Sequence, residues 1–198
     1  MKTSRRRPFI RPHLLLTGRP GVGKTTLIHR VVQELGTQAS LSSLGRPLKV
    51  AGFYTQEIRT HGRRVGFEVV CIPQGKRGIL ARVDVPTPFR IGKYYVDVPG
   101  FESLVLPLFR LQNLDLLIID EIGPMELLST RFQQAVQAAL GQTSPKILGT
   151  IQRKRISLLT QWGVSDQVTV VELSWGAWDE VLDQVMAWLR SGFTEMDQ

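Results

Sequence analysis

The sequence predicts an α/β fold in which helices cover both faces of a mostly parallel sheet. Short apolar runs of strand length alternate with segments of helical spacing along much of the 198 residues. The segment 114–119 is almost entirely apolar, as expected of a strand buried on both faces of a parallel sheet. Hydrophobic residues make up 42% of the chain, which is enough for the core of one compact domain.

The first predicted elements flank a glycine-rich loop. Residues 13–17 form a short apolar run that we expect to be a buried strand. Residues 25–35 then place apolar side chains on one helical face, and Gly36 follows as the expected C-cap. Serine, glycine and proline punctuate residues 37–48, which predicts a loop.

The middle of the chain predicts a small antiparallel β insert, at about residues 49–98. Residues 49–59 and 64–72 have strand patterns, and the turn residues between them indicate a hairpin. Further strand candidates follow at 78–83 and 91–98.

The alternation of strands and helices then resumes. The predicted elements are a helix at 101–111 that Pro107 kinks or shortens, the strand at 114–119, a helix at 131–140, strands at 146–151 and 167–173, and a helix at 178–190. The last helix carries Trp178 and Trp188 on its apolar face, where we expect core anchors rather than a platform for a nucleobase.

The chain is basic, with 25 Lys and Arg residues against 17 Asp and Glu residues and a net charge of +8. We expect residues 1–12 to form a flexible basic arm and residues 13–198 to form one domain. The arm is interpreted either as a solvated terminus or as a weak nucleic-acid contact. Its basic residues are Lys2, Arg5, Arg6, Arg7 and Arg11.

Composition also argues against disulfide-stabilised, histidine-metal, membrane-spanning and exported proteins. A single cysteine, Cys71, excludes an intramolecular disulfide framework, and three scattered histidines do not form a helical metal motif. The chain has no apolar stretch of the 18 to 20 residues that cross a bilayer. Arg6 and Arg7 imitate a twin-arginine export signal, but the apolar run that follows is too short for one. We therefore expect a cytoplasmic protein with no membrane contact.

Residues 18–25 fit the phosphate-binding pattern G-x-x-x-x-G-K-[ST] without a gap. Glycines let successive backbone N–H groups turn towards a phosphate, and the following helix adds its positive end. In this pattern Lys24 reaches the β- and γ-phosphates and the Thr25 hydroxyl binds Mg²⁺. The alternative is an ordinary glycine-rich turn between a strand and a helix. The predicted nucleotide-binding residues are Gly18, Arg19, Pro20, Gly21, Val22, Gly23, Lys24, Thr25 and Thr26.

Two acids follow the apolar segment 114–119. The carboxyl ends of parallel strands face the ligand crevice, so we expect Asp120 and Glu121 to point at the phosphates. Asp120 is the predicted Mg²⁺ ligand, directly or through a water. Glu121 is placed to orient or deprotonate the attacking water, which makes it and Lys24 the predicted catalytic residues. The alternative is that the two acids cap the next helix.

The end of another predicted strand offers two further candidates. Thr150 is a candidate sensor of the γ-phosphate, although threonine is also common in strands for its β-propensity. Arg153, followed by Lys154 and Arg155, is a candidate stabiliser of transition-state charge, with a solvated loop as the alternative.

Several motifs together resemble the thermophilic-type nucleoside-triphosphatase family. They are GRPGVGKTTL at 18–27, GFYTQEIR at 52–59, GRRVGFEVV at 62–70, IGKYYVDV at 91–98, IIDEIGPMEL at 118–127 and LGTI at 148–151. The resemblance implies a RecA-like P-loop fold and slow, weakly base-selective hydrolysis of nucleoside triphosphates with Mg²⁺ as cofactor.

The resemblance also implies a second nucleotide-contacting stretch. Its residues are Leu117, Ile118, Ile119, Asp120, Glu121, Ile122, Gly123 and Pro124. Glu57, Arg59 and Lys93 lie in family motifs, where they either close over the phosphates or hold the insert in place. Residues 174–178 replace a polar, often Asn-containing segment of the family, so the resemblance assigns no base-contacting residue there.

The leading hypothesis is a Mg²⁺-dependent hydrolase of ATP, GTP and other nucleoside triphosphates. One alternative is a phosphotransferase acting on a nucleoside, a nucleotide or an RNA end, because the same loop serves kinases. Another is a nucleic-acid-binding module with regulatory use of ATP. The only asparagine is Asn113, which excludes the Asn-Lys-x-Asp signature of guanine-specific switches.

Overall fold

The computed structural model describes residues 11–37 and 46–194. In chain order the strands and α-helices are β1 His13–Thr17, α1 Lys24–Thr37, β2 Val50–Thr60, β3 Arg63–Ile72, β4 Arg77–Arg82, β5 Phe89–Ile91, β6 Tyr94–Val96, α2 Val98–Val105, β7 Leu116–Ile122, α3 Thr130–Leu140, β8 Lys146–Ile151, α4 Ser157–Gln161, β9 Val168–Glu172 and α5 Trp178–Thr194. Short 3₁₀ turns cover Leu106–Arg110, Glu126–Leu128, Arg153–Arg155 and Ser165–Gln167.

The described strands join in one sheet with the order β5-β6-β4-β3-β2-β7-β8-β1-β9. The five strands from β2 to β9 in that order run parallel, and the other four are antiparallel. Strand β8 lies between β1 and β7, while β9 lies on the other side of β1. The carboxyl ends of the parallel strands therefore share one edge of the sheet.

The two faces of the sheet bury separate apolar clusters. On β1, Leu14 and Leu16 belong to one cluster and Leu15 to the other, because successive side chains of a strand point to opposite faces. Phe101 of α2 and Phe132 of α3 cover the Leu15 face. Residues of α1 and α5 cover the opposite face, among them Leu27, Ile28, Val185 and Trp188. The predicted fold class is confirmed.

Strand β2 belongs to both parts of the sheet. Its first half, Val50 to Tyr54, pairs parallel with β7, while its whole length from Gly52 onward pairs antiparallel with β3. A two-residue turn, His61 and Gly62, joins β2 to β3, and both residues have positive φ angles as a type I′ turn requires. The β2–β3 hairpin thus extends past the carboxyl end of β7.

Several predicted boundaries are wrong. The helix expected at 101–111 begins at Val98, where the Asp97 side chain caps Gly100 N–H, and ends at Val105, with Pro107 in a 3₁₀ turn. The single strand expected at 91–98 does not form. Gly92, with a φ of 59°, lies in a turn between β5 and β6, which pair as a hairpin. Helix α1 continues through Gly36, so that residue is not its C-cap.

Two further elements differ from the sequence predictions. Strand β7 extends through the acidic pair to Ile122, and α4 was not predicted. Trp188 of α5 is 1% exposed, which confirms it as a core anchor. Among the described residues, no helix is long and apolar enough to cross a membrane.

The beginning of the described chain is attached to the sheet. The Arg11 guanidinium donates hydrogen bonds to the carbonyls of Ser165 and Val168, at 2.9 and 2.7 Å. The Trp188 indole donates to the Arg11 carbonyl at 3.0 Å. The other basic residues of the predicted arm, Lys2, Arg5, Arg6 and Arg7, lie outside the described residues.

Candidate active site

The phosphate-loop sequence forms a tight turn between β1 and α1. Gly18, Gly21 and Gly23 have φ angles of 145°, 78° and 98°, a region that side chains with a Cβ rarely adopt. The Leu27 N–H donates to the Gly23 carbonyl at 2.9 Å, so the hydrogen-bond ladder of α1 opens there. The backbone N–H groups before Leu27 belong to the open N-terminus of a helix, where an anion is stabilised.

Lys24 lies at the start of α1 and folds back over the loop. Its Nζ donates to the carbonyls of Gly18 and Arg19, at 3.3 and 3.4 Å. Both bonds are long, and a phosphate oxygen is a stronger, charge-assisted acceptor for the same ammonium group. The loop therefore holds the Lys24 ammonium group close to its own backbone.

Asp120 is buried, with 1% of its surface exposed. Its Oδ1 accepts a hydrogen bond from Thr150 Oγ1 on β8 at 2.5 Å. Its Oδ2 is also buried and, among the described residues, has no hydrogen-bond partner. Burial raises the pKa of Asp120, while the hydroxyls of Thr150 and Thr25 and the charge of Lys24 act in the opposite direction. A cation at Oδ2 would therefore satisfy an oxygen that the protein leaves without a partner.

Glu121 follows Asp120 across a cis peptide bond. Its side chain is partly buried, and burial raises its pKa, while the charge of Lys24 lowers it and the charge of Asp120 raises it further. A carboxylate with a raised pKa is a stronger base than one in open water. Glu121 is thus suited to accept a proton from a water.

One cavity of about 310 Å³ brings the predicted groups together. The phosphate loop and the start of α1 form one wall, with Lys24 and Thr25 among the lining residues. Asp120 and Glu121 of β7 form the floor. The full lining is Pro20, Gly21, Gly23, Lys24, Thr25, Thr26, Thr55, Gln56, Glu57, Phe67, Asp120 and Glu121. The expectation that the acids face the phosphate loop agrees with this arrangement.

The β2–β3 hairpin forms the opposite wall of the cavity. Glu57, which the family motif singled out, lines it and accepts hydrogen bonds from Arg59 Nε at 2.8 Å and Arg64 at 2.7 Å. Arg64 also donates to the Tyr94 hydroxyl at 2.9 Å. Hydrogen bonds from Arg64 and Arg59 lower the pKa of Glu57, and the three side chains form a network of ion pairs on this wall. The Lys93 ammonium lies 5.4 Å from the centre of the Tyr94 ring.

Three cavity residues were not predicted from the sequence: Thr55, Gln56 and Phe67. Thr55 and Gln56 lie inside the quoted motif GFYTQEIR, so the motif was the available signal. Phe67 likewise lies inside the quoted motif GRRVGFEVV, although an aromatic residue in a strand is usually interpreted as packing.

Glu126 is a buried acid outside the set of predicted site residues. It is 5% exposed and lies in the 3₁₀ turn after β7. Its Oε2 lies 2.8 Å from the point where a Cβ on Gly123 would be, and Glu121 Cδ lies 3.4 Å from that same point. Burial, reinforced by the charges of Glu121 and Asp120, raises the pKa of Glu126 to about 8. An uncharged carboxyl group therefore lies close to Glu121.

Other predicted residues lie outside the cavity wall. Leu117, Ile118, Ile119 and Ile122 are buried in the two apolar clusters, as is Val22 of the phosphate loop. Thr150 is fully buried behind Asp120. Arg153 forms an exposed ion pair with Glu172 of β9, and Lys154 and Arg155 share its 3₁₀ turn.

Known proteins match this chain over most of its length. A family model described as NTPase matches residues 13–186. The nucleoside-triphosphatase THEP1 of Thermotoga sp. strain RQ2 is 38% identical over 179 residues, which cover 89% of this chain and 95% of that protein. The human cancer-related nucleoside-triphosphatase is 47% identical over 152 residues, which cover 70% of this chain and 74% of that protein.

A solved structure shares the fold. The crystal structure of THEP1 from the hyperthermophile Aquifex aeolicus matches with a TM-score of 0.73 and 28% sequence identity. The match covers 89% of this chain and 98% of that one. The phosphate loop, the acidic pair and the β2–β3 hairpin all lie within the residues that the family model matches.

Proposed function

The chain belongs to the NTPase family, as its motifs indicated, and we propose that it hydrolyses nucleoside triphosphates by a water that Glu121 deprotonates. The activity itself, that of a nucleoside-triphosphatase, follows from family membership at the identities given above. The observation that supports the proposed roles is the shared cavity, which places Lys24, Asp120 and Glu121 around one space beside the loop amides.

The proposed reaction is an in-line displacement at the γ-phosphorus. Glu121 accepts a proton from water as the new P–O bond forms, and the bond to the bridging oxygen breaks to release a nucleoside diphosphate and orthophosphate. Lys24 and the loop N–H groups stabilise the charge that develops on the phosphate oxygens. Glu121 then returns its proton to the solvent or to the products.

The residues present fit Mg²⁺. Asp120 Oδ2 is a buried oxygen without a partner among the described residues, and Thr25, which lines the same cavity, adds a hydroxyl oxygen. Oxygen atoms are the ligands that Mg²⁺ prefers. Asp120 and Thr25 would hold the ion, which when bound neutralises charge on the β- and γ-phosphates. Thr150 acts through Asp120, since its hydroxyl is engaged there.

We propose that ATP, GTP and other nucleoside triphosphates are all substrates. The cavity residues named above surround the space for the phosphates. The loop contacts phosphates through backbone N–H groups, and such contacts do not distinguish one base from another. Hydrolysis is therefore expected to depend weakly on the base. Location in the cytoplasm and weak nucleic-acid binding through the arm remain predictions from composition.

Release of orthophosphate tests the proposal. The purified chain is incubated with ATP, GTP, CTP or UTP and Mg²⁺, and orthophosphate and nucleoside diphosphate are quantified. We expect equal amounts of the two products, comparable rates for the four bases, and no turnover with EDTA. Lys24→Ala should lower both affinity and rate, whereas Lys76→Ala, in the turn between β3 and β4, serves as a control for loss of an exposed lysine.

The same assay separates the alternatives. Transfer of phosphate to an added nucleoside, nucleotide or RNA end, in place of orthophosphate release, would make the chain a phosphotransferase. Turnover that appears only with RNA would favour the nucleic-acid-binding alternative.

A further inference from the structure

The segment after β9 lies on the side of the phosphate loop that faces away from the two acids. Strand β1 has β8 and then β7 on one side and β9 on the other. The Leu173 N–H donates to the Thr17 carbonyl at 2.8 Å. A Cβ on Gly18 would lie 2.4 Å from the Leu173 carbonyl oxygen, so only glycine permits this contact. The segment therefore begins against the first glycine of the loop.

Residues 174–177 then form a hydrogen-bonded β-turn. The Ala177 N–H donates to the Ser174 carbonyl at 3.2 Å, and Gly176 has a φ of 83°. A glycine with positive φ at the third position is the requirement of a type II turn, which puts Trp175 at the second position. The next residue after the turn, Trp178, has its indole Nε1 3.4 Å from the Cβ position of Gly23. Both ends of the turn are thus held against the phosphate loop.

Trp175 is the most exposed of the large hydrophobic side chains in the described residues. It is 76% exposed, whereas the other exposed large hydrophobic residues range from 38% to 48%. It differs in this from Trp178, which is partly buried, and from Trp188, which is in the core. An indole held at the tip of a turn offers a flat aromatic face to a planar ligand.

The proposed function fixes the direction in which a nucleotide leaves the loop. The γ-phosphate faces Asp120 and Glu121 in the cavity, and the preceding phosphate lies within the loop. With the phosphates in this order, the nucleoside end of the ligand points away from the two acids of β7, and β9 with its following turn lies on the side of β1 opposite to β7. Resting on that function, we propose that Trp175 stacks on the nucleobase of the bound nucleoside triphosphate.

Stacking on an aromatic ring adds affinity without selecting a base, because every base has a π-face. A base-edge contact would instead favour one base. Glu172, the charged residue of β9 that is nearest to Trp175 in sequence, forms its ion pair with Arg153. Trp175 would therefore raise the affinity for all four nucleotides, with purines gaining more from their larger rings.

The test compares ligands that carry a base with one that does not. The dissociation constant of ATP is measured by calorimetry on Glu121→Gln, and again after adding Trp175→Ala or Trp175→Phe. We expect Trp175→Ala to weaken ATP about 5- to 100-fold and Trp175→Phe to restore most of the affinity. Binding of inorganic tripolyphosphate should be the same in all three proteins. Leu111→Ala, which removes another exposed hydrophobic side chain, is the matched control.

Each result has one interpretation. Unchanged ATP affinity in Trp175→Ala, or an equal loss for ATP and tripolyphosphate, would overturn the stacking role. Those results would not contradict the proposed function, because orthophosphate release by the wild-type chain tests that function separately.

Discussion

Thr150 and Asp120, which lie thirty residues apart in sequence, share a 2.5 Å hydrogen bond between Oγ1 and Oδ1. The bond crosses from β8 to β7 near the carboxyl ends of both strands, and both residues are almost inaccessible to solvent. The other carboxylate oxygen, Oδ2, is buried and has no hydrogen-bond partner among the described residues. Thr150 thus orients the carboxylate that we propose as the Mg²⁺ ligand.

Thr150→Val should weaken the response to Mg²⁺. The substitution keeps the side-chain shape but removes the donor, and loss of such an outer partner typically lowers metal affinity about 10- to 100-fold. The Mg²⁺ concentration for half-maximal turnover should rise accordingly, as measured by titration of the rate. Thr150→Ser, which keeps the hydroxyl, should stay close to wild type. A Mg²⁺ dependence unchanged by valine would contradict the orienting role.

Glu121→Gln should separate binding from chemistry. The amide keeps the size of the side chain but accepts no proton from water, and general-base assistance contributes about 100- to 10,000-fold to a rate. Single-turnover measurements should show this loss while the dissociation constant of ATP stays near the wild-type value. Asp166→Asn, the same change in the exposed turn before β9, is the control. Full activity in Glu121→Gln would assign the base to another group.

Glu126 should make stability depend on pH. Its pKa is about 8 in the folded chain and 4.5 in the unfolded chain, so the folded state binds the extra proton between these values. The resulting contribution to the free energy of unfolding is fully present below pH 4.5 and is lost as the pH rises through 8. Glutamine at this position stays neutral at every pH. Relative to Glu126→Gln, wild type should therefore lose stability from pH 5 to pH 8.

Urea unfolding at a series of pH values checks this expectation. The difference in unfolding free energy between wild type and Glu126→Gln should change by a few kcal/mol across the interval. Parallel profiles for the two proteins would show that Glu126 ionises in the folded chain as it does in water.

Arg153→Ala should have a small effect on turnover. The guanidinium pairs with Glu172, and both side chains are more than half exposed, at 57% and 53%. Exposed pairs of this kind contribute about 0–1 kcal/mol to stability. The rate constant should fall far less than the ~10³-fold that follows removal of an arginine finger. A loss of that size in steady-state kinetics would instead place Arg153 at the transition state.

The sequence alone was enough to predict the phosphate loop and the acidic pair, because each prediction depends on consecutive residues. Glycines at fixed spacing determine where the backbone of residues 18–25 can turn, whatever surrounds it. An apolar run followed by two acids likewise predicts a buried strand with carboxylates towards its carboxyl end. The boundaries at Gly36 and in 91–98 were wrong, since helix continuation and a second hairpin depend on packing beyond the local pattern.

Only the tertiary structure decided which distant residues complete the site. Strand order places β8 between β1 and β7, which brings Thr150 to Asp120, and the length of β2 carries Thr55 and Gln56 over the cavity. The burial of Glu126 and the exposure of Trp175 are likewise properties of the assembled chain. Local sequence determines backbone preference and apolar periodicity, so it could predict the loop and the strands. The environment of a side chain is created by segments far apart in the chain, so only the tertiary structure could show it.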